Sequence, residues 1–272
     1  MKRRVTIALL TAVGFYVLLC AAMWALQDTL VFPGAGRGDR GVPVLVPPAA
    51  VGFVGGGDAR ARCATVAAAG GVAKPRAIAI YFGGNGEDLF ASVYSATDLA
   101  AYGIEAIAVE HPGFGASAGR PSVASLLANA LAAVALARTR AQQLGVPLVV
   151  VGTSLGSCCA VHAAAAGGVD KLVLRAPPTR LADVAQAAYP WLPVKLLLAH
   201  RFDNLASAAK VTCPTLVLHG DHDTIVPDRY GRELAAALPN ATFVSVPGYG
   251  HNDLDLSPNG PVGKAMLDFL GR

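Results

Sequence analysis

Charged side chains are absent from residues 5–26, whereas Lys2, Arg3 and Arg4 directly before this run are all basic. At about 1.5 Å per residue, a helix over the apolar run spans roughly 33 Å, enough to cross a hydrocarbon core of roughly 30 Å. Trp24 near the end of the run is typical of a membrane interface. Residues 1–26 are therefore predicted to form an N-terminal membrane anchor or signal segment.

The basic cluster predicts that the N-terminus stays in the cytoplasm and that the rest of the chain lies on the extracytoplasmic side of the membrane. A cleaved signal peptide is the main alternative, and it would leave a secreted or periplasmic protein. Its apolar core is usually shorter, about 7–15 residues, and residues 20–25 make a poor cleavage site. Leu19 before Cys20 argues against lipoprotein processing. A buried core helix is the third alternative.

Beyond residue 26, apolar and polar positions alternate in blocks. Residues 27–41, with Pro33 and several glycines, predict a linker onto a domain that covers residues 42–272. Short apolar runs predict antiparallel strands at 42–46, 51–54 and 61–68. Six further apolar, partly β-branched runs have strand length: 77–82, 104–109, 148–151, 172–174, 215–218 and 242–246. Alanine-rich segments of helix length lie between most of them: 88–101, 123–144, 155–166 and 228–238.

This alternation predicts an α/β fold, with a mostly parallel central sheet flanked by helices. One interval, residues 177–213, breaks the pattern. It is too long for a simple turn, and it contains aromatic side chains at Tyr189, Trp191 and Phe202. We expect a small lid of one or two short helices here, between the sixth and seventh strands. One irregular crossover helix is the alternative.

The composition narrows the function classes. The 272 residues suffice for one domain with a sizeable core. The formal net charge is +4, and the basic cluster at residues 2–4 supplies most of it, so the near-neutral body excludes a nucleic-acid-binding protein. None of the five cysteines has the spacing of a metal site. The sequence does not decide whether Cys63 and Cys213 form a disulfide.

A nucleophile motif follows one of the predicted strands directly. The sequence GTSLG at residues 152–156 lies between the strand at 148–151 and the helix at 155–166. A sharp strand-to-helix turn of this G-x-S-x-G type raises the central serine above the sheet edge, and the glycines leave room for the crowded backbone. Ser154 is therefore the candidate nucleophile.

A serine nucleophile needs a base, and the base needs an orienting carboxylate. In folds of this type the order along the chain is serine, acid, histidine. Asp223 and His251 follow Ser154 in that order, each just past a predicted strand end, at the carboxyl edge where such active sites lie. Asp221 competes for the role of the acid, although it is better placed to hold the turn. Of the histidines in predicted loops, only His251 follows the acid.

The oxyanion of the reaction intermediate needs aimed N–H groups. One candidate is the backbone N–H of Leu155, directly after the nucleophile. The other is Asn85 in the loop GGNG at residues 83–86, whose glycines permit close backbone approach. This loop lacks the Lys-Ser/Thr pair of a phosphate-binding P-loop.

Together these motifs resemble the α/β-hydrolase superfamily over the chain from about residue 40 to its end. Residues 82–87 are similar to the oxyanion loop of the family, and 110–117 to its Asp-Tyr-Pro-Gly-x-Gly-x-Ser segment. Residues 152–156 match the nucleophile elbow, 219–227 the acid loop and 250–251 the histidine loop. The N-terminal segment, its exit at 27–33 and YPWLP at 189–193 resemble a membrane-anchored, serine aminopeptidase-like branch.

The resemblance implies a serine hydrolase that cleaves an acyl ester or thioester through a Ser-Asp-His triad and an acyl-enzyme. It implies a small-molecule or lipid-like acyl substrate and no cofactor or metal. Gly83 and His111 depart from the residues that are usual in the family. These departures bear on which substrate is bound, not on the class of enzyme. His111 and Trp191 are candidate substrate-binding residues. The same triad serves acyltransferases and peptidases, and a non-catalytic binding protein on this fold is the rival interpretation.

Overall fold

The computed structural model describes residues 1–45, 49–56 and 60–271. Within these ranges, eight strands follow one another along the chain. They are β1 (Ala50–Val54), β2 (Ala61–Val66), β3 (Ile78–Phe82), β4 (Glu105–Val109), β5 (Leu148–Thr153), β6 (Lys171–Arg175), β7 (Thr215–Gly220) and β8 (Ala241–Val246). The predicted runs from residue 77 onward thus form strands close to their expected bounds.

The strands form one sheet in the order β1-β2-β4-β3-β5-β6-β7-β8. The antiparallel pairs are β1 with β2 and β2 with β4, and the other neighbours are parallel. At the centre, Ile80 of β3 is paired with Ile107 of β4 and with Val150 of β5. Strands buried on both faces require apolar residues at successive positions, as the runs show. The predicted mostly parallel sheet is confirmed.

Helices cover both faces. Two of them, α4 (Val123–Leu144) and α5 (Gly156–Ala165), share one core cluster, whereas α3 (Leu89–Ala100) and α10 (Gly263–Gly271) share the cluster on the opposite face. A further helix, α9 (Asp228–Ala237), follows β7. The buried stripe of α4 is rich in alanine, which lets the helix approach the sheet closely: Leu126, Ala130, Ala133, Val134, Ala137 and Ala141. Burial of a leucine or valine side chain contributes about 1.5–3 kcal/mol.

The bounds of α4 follow from its ends. Ser122 and Ser125 form a reciprocal capping box at the N-terminus, in which each side chain bonds the backbone N–H of the other. At the other end, Gly145 takes the left-handed conformation, with φ 60°, that terminates many helices. The following chain then turns into β5, which leads to Ser154.

Three short helices occupy the interval between β6 and β7 where a lid was predicted: α6 (Leu181–Ala188), α7 (Val194–Leu197) and α8 (Leu205–Ala208). The single crossover helix is therefore not formed. Leu192, Val194 and Leu198 make a small apolar cluster of their own, separate from the two clusters of the sheet.

The N-terminal segment forms the helix α1 (Lys2–Ala25), none of whose residues is buried. Its composition and length suit a membrane span. The segment predicted to be a linker is packed against the domain instead. Residues Gln27–Val31 form the helix α2, the Phe32 side chain is buried in the core, and Ala35 forms a β-bridge with Phe114. An apolar residue at position 32 draws this segment onto the sheet.

One other expectation is corrected, and the open question of a Cys63–Cys213 disulfide is answered. Residues 42–45 form no strand, and Val46 lies outside the described residues. Cys63 and Cys213 are free and buried. Cys63 lies on β2, Cys213 lies two residues before the start of β7, and four strands separate β2 from β7 in the sheet. At about 4.8 Å per strand the separation is roughly 24 Å, far beyond the reach of a disulfide.

Candidate active site

The turn between β5 and α5 presents Ser154 at the carboxyl edge of the sheet. Its φ of 49° lies in the left-handed region, which costs a non-glycine residue about 1–3 kcal/mol and recurs at active sites. A Cβ at position 156 would run into the backbone carbonyl oxygens of Phe82 and Gly83, so glycine is required there. The Ser154 N–H donates to the carbonyl of Arg175 at 2.8 Å, which holds the turn against β6.

The side chains of Ser154, Asp223 and His251 lie in a hydrogen-bonded row. Ser154 Oγ is 3.0 Å from His251 Nε2, and His251 Nδ1 is 2.7 Å from Asp223 Oδ2. The three residues follow the ends of β5, β7 and β8, elements that come together only in the sheet. A neutral His251 that carries its proton on Nδ1 donates to the carboxylate and can accept the serine proton on Nε2.

Asp223 is held as an anion. Burial alone would raise its pKa, but hydrogen bonds from His219 and His251 outweigh burial and lower the pKa well below its ordinary value. Its other oxygen, Oδ1, accepts the backbone N–H groups of Ile225 and Val226 at 2.9 and 2.8 Å. The carboxylate therefore stays ionised and fixed in orientation.

His219 is a part of this site that the motif search did not select. Its ring is fully buried at the end of β7, with Nε2 3.2 Å from Asp223 Oδ2 and 2.7 Å from the carbonyl oxygen of Val226. Because a carbonyl only accepts, Nε2 must carry a proton. The signal in the sequence was the spacing of four residues between His219 and Asp223. Asp221, the competing acid, accepts the N–H of Gly248 at 2.7 Å and so holds the turn.

The backbone N–H groups of Leu155, at the N-terminus of α5, and of Asn85 have no acceptor in the part of the chain that the structure describes. The Asn85 side chain instead donates to the carbonyl of Val31 at 3.2 Å, which fixes the loop from outside. Both residues line the cavity that holds Ser154. They are the donors expected for an oxyanion.

A polar network contacts the loop of residues 83–86, and sequence reasoning missed it. Glu87 accepts the N–H of Gly84 at 3.0 Å and the Tyr81 hydroxyl at 2.9 Å. The Arg175 guanidinium donates to Tyr81 and to the Thr153 hydroxyl. Desolvation raises the pKa of Tyr81 far above its ordinary value, so its hydroxyl stays protonated and available as a donor. No local motif marks residues that meet in this way across three strands.

The two predicted substrate-binding side chains do not line the cavity. His111 is buried behind the loop, with Nε2 2.8 Å from the carbonyl oxygen of Gly83 and its ring edge-on to Phe114. Apolar packing draws the ring inward, and there the ring supports the loop through its hydrogen bond to Gly83. Trp191 lies in the segment between α6 and α7, with about half of its surface exposed. These two expectations are corrected.

The cavity around Ser154 has a volume of about 780 Å³ and a lining of mixed character. Its apolar lining residues include Val31, Leu181, Val184, Ile225 and Val226, and its charged lining residues are Glu87, Asp98, Arg175, Asp253 and Asp255. Among residues 1–45, 49–56 and 60–271, no group of three or more His, Cys, Asp or Glu side chains is arranged to hold a metal ion. The groups placed for chemistry are the serine, the imidazole and the two N–H donors.

Comparison with known families and proteins agrees with the fold. Residues 73–206 match the family model of serine aminopeptidase, S33, and residues 195–258 match that of the alpha/beta hydrolase fold. The uncharacterised protein Rv2307c of Mycobacterium tuberculosis is 36% identical over 190 residues, which cover 70% of this chain and 66% of that protein. The chain thus spans just under two thirds of the length of this relative.

Two solved structures share the architecture. The esterase Pf2001 of Pyrococcus furiosus superposes with a TM-score of 0.66 at 17% identity, over 88% of this chain and 97% of that one. A soluble variant of the monoglyceride lipase from Saccharomyces cerevisiae gives a TM-score of 0.65 at 14% identity, over 85% and 97%. The chain belongs to the α/β-hydrolase superfamily.

Proposed function

We propose that this protein is a serine hydrolase that cleaves an acyl ester or thioester through an acyl-enzyme. The observation that carries the proposal is the row from Ser154 Oγ through His251 to Asp223, at 3.0 and 2.7 Å. It lies in one cavity with the backbone N–H groups of Leu155 and Asn85. A nucleophile, a base, an orienting acid and oxyanion donors are the parts that acyl transfer requires.

In the first half of the reaction, Ser154 Oγ attacks the acyl carbonyl carbon while His251 Nε2 takes the serine proton. The carbonyl oxygen becomes an oxyanion, which accepts from Leu155 and Asn85 at the positive end of α5. The ester C–O bond then breaks, or the C–S bond of a thioester, and His251 protonates the departing oxygen or sulfur. In the second half, water attacks the acyl-enzyme by the same route and releases the acid and the free serine.

The apolar side of the cavity favours an acyl substrate with hydrocarbon character. Proteins of the same fold whose names state an ester substrate include the monoglyceride lipase described above. The resemblance to serine aminopeptidases keeps amide cleavage as an alternative, and acyl transfer would use the same residues. A binding protein without catalysis is the rival from another class.

Active-site labelling tests the proposal. The wild-type protein should react with a fluorophosphonate probe and hydrolyse p-nitrophenyl butyrate, and Ser154→Ala should do neither. Ser207→Ala, a serine in α8 outside the cavity, is the matched control and should behave as wild type. Equal labelling of Ser154→Ala and wild type would show that the nucleophile is another residue. Labelling without turnover of any ester or thioester would favour the binding protein.

We also propose that α1 anchors the enzyme in a membrane, with the catalytic domain on the extracytoplasmic side. Support comes from the uncharged run of residues 5–26, from the basic residues before it and from the absence of any buried residue in the helix. A helix that exposes most of its apolar side chains is stable in lipid and costly in water.

A further inference from the structure

The anchor helix is attached to the three-helix segment above the active site, not only to the chain that follows it. The Tyr16 hydroxyl donates to the carbonyl oxygen of Trp191 at 2.8 Å. One and two turns further along α1, Cys20 and Met23 pack on the cluster of Leu192, Val194 and Leu198. The lid, which comprises residues 177–213, therefore contacts α1 at Tyr16, Cys20 and Met23.

Hydrogen bonds at the end of α1 hold the same arrangement. Gln27 is buried, its amide nitrogen donates to the carbonyl of Trp24 at 2.8 Å, and its amide oxygen accepts the N–H of Ala199 at 2.7 Å. The side chains of Asp28 and His200 meet at 2.6 Å. These polar groups are paired with one another, and the space between α1 and the lid is lined mainly by apolar side chains.

That space is a groove of about 180 Å³. The groove has one wall formed by α1 and α2 and one wall formed by the lid. Met23, Leu30 and Val31 are apolar side chains of the first wall, and Leu181, Leu192 and Leu197 belong to the second. Such a lining suits a hydrocarbon chain and disfavours a charged ligand, because it offers a buried charge no partner.

The groove adjoins the candidate active site. Val31, Asn85 and Leu181 line both the groove and the cavity that contains Ser154. Asn85 is also one of the two oxyanion donors in the proposed mechanism. An acyl chain whose carbonyl lies at Ser154 could therefore enter the groove past the apolar side chains of Val31 and Leu181. Asp98, Asp253 and Asp255 line the cavity but not the groove, which leaves polar surface for the leaving alcohol.

The position of the Tyr16–Trp191 contact along α1 sets how deep the lid lies in the membrane. Tyr16 precedes the end of α1 at Ala25 by nine residues, or about 14 Å along the helix axis. If α1 crosses the bilayer, the part of the lid around Trp191 lies beside the membrane-inserted half of the helix. The exposed side chains of Tyr189, Trp191 and Leu196 suit that environment. The groove, which contacts α1 at Met23 and Trp24, then lies near the end of the helix at the membrane interface.

We propose that this groove holds the acyl chain of a membrane lipid ester, so that α1 forms one wall of the substrate site and is more than an anchor. The inference rests on the proposed serine hydrolase function and adds the source of the substrate and the path of its chain. Hydrolysis breaks the acyl C–O bond, water supplies the hydroxyl of the acid, and the alcohol leaves with a proton.

Neighbouring leucines of α7 allow a matched test on the full-length protein in mixed detergent micelles. Leu197 lines the groove, whereas Leu196 is 82% exposed and does not. The measured quantity is the ratio of kcat/KM for p-nitrophenyl decanoate to that for p-nitrophenyl acetate. Leu197→Trp, which fills the groove, should lower this ratio at least tenfold, or about 1.4 kcal/mol, less than two buried methylene groups supply. Leu196→Trp should leave the ratio unchanged.

A second pair examines the wall formed by α1. Met23 faces the groove and Ala22 is exposed, so Met23→Trp should lower the ratio and Ala22→Trp should not. Fluorophosphonate labelling of Ser154 reports that each variant is folded. Equal ratios for all four variants and wild type would contradict the proposal that the groove holds the acyl chain. Hydrolysis that depends on Ser154 would still support the proposed function. Absence of both ester and thioester hydrolysis in the wild type would overturn both proposals.

Discussion

His219 Nε2 lies 3.2 Å from Asp223 Oδ2, the carboxylate oxygen that also faces His251. Two imidazole rings therefore share one oxygen of a fully buried carboxylate. Only one of these rings touches Ser154. We infer that His219 acts as a positioning residue, which keeps the carboxylate ionised and aimed at His251.

The first prediction follows from this shared oxygen. His219→Phe keeps a ring in the buried site but removes the donor to Asp223 and to the Val226 carbonyl. The free energy of unfolding at pH 7 should fall by about 1.5–3 kcal/mol, because a hydrogen bond to a charged group is lost. Urea unfolding measures it. His222→Gln, a change at an exposed neighbour, should have no effect.

The pH dependence has a definite sign. The pKa of Asp223 is lowered in the folded protein, so its ionised form stabilises the fold above the ordinary aspartate pKa of about 3.9, and this contribution is lost as the pH falls from that value towards the lower pKa of the folded state. The amide of Asp223→Asn does not titrate, so the stability difference between wild type and this variant should shrink when the pH is lowered from about 7 to about 2.5. A difference that stays constant over this range would contradict a lowered pKa of Asp223.

Asp223→Asn and Asp221→Asn separate the two acid candidates. An amide at position 223 can no longer hold the proton of His251 on Nδ1, so kcat should fall on the order of 10³–10⁴-fold. Asp221→Asn keeps an oxygen that can accept from Gly248 and lies outside the row of Ser154, His251 and Asp223. Its kcat should stay within about twofold of wild type. A large loss of kcat at position 221 would reverse the assignment.

Gly156→Ala and Gly86→Ala differ in the space around the added methyl group. At position 156 the methyl group would meet the carbonyl oxygens of Phe82 and Gly83, whereas nothing lies within 4 Å at position 86. Overpacking against backbone costs about 1–3 kcal/mol. We expect Gly156→Ala to lower the unfolding midpoint in urea and to slow fluorophosphonate labelling of Ser154. Similar losses in both variants would indicate a general intolerance of the loops.

The orientation in the membrane can be measured directly. Protease is added to intact cells, and in cells with an outer membrane only that layer is opened. We expect the domain to be digested while a cytoplasmic marker protein stays whole, because the basic residues Lys2, Arg3 and Arg4 favour a cytoplasmic N-terminus. Complete protection of the domain would place it on the cytoplasmic side.

Several features could be predicted from the sequence because they depend on local order along the chain. Continuous apolar runs of strand length predict strands buried on both faces, and helix-length segments between them predict parallel pairing. The G-x-S-x-G turn is local as well, since only glycine allows the backbone approach that Gly156 makes. The order in which Ser154, Asp223 and His251 follow strand ends selected three side chains that lie in one row.

Other features were decided only by the tertiary structure, because they depend on which distant segments pack together. The order of the strands separates Cys63 from Cys213, and no spacing of cysteines reveals that. Apolar packing turns His111 away from the cavity. The burial of Phe32 draws residues 27–35 onto the domain, and this brings α1 against the lid. The groove between them has its walls about 170 residues apart in the chain, as the contact of Gln27 with Ala199 shows, so no local pattern marks it.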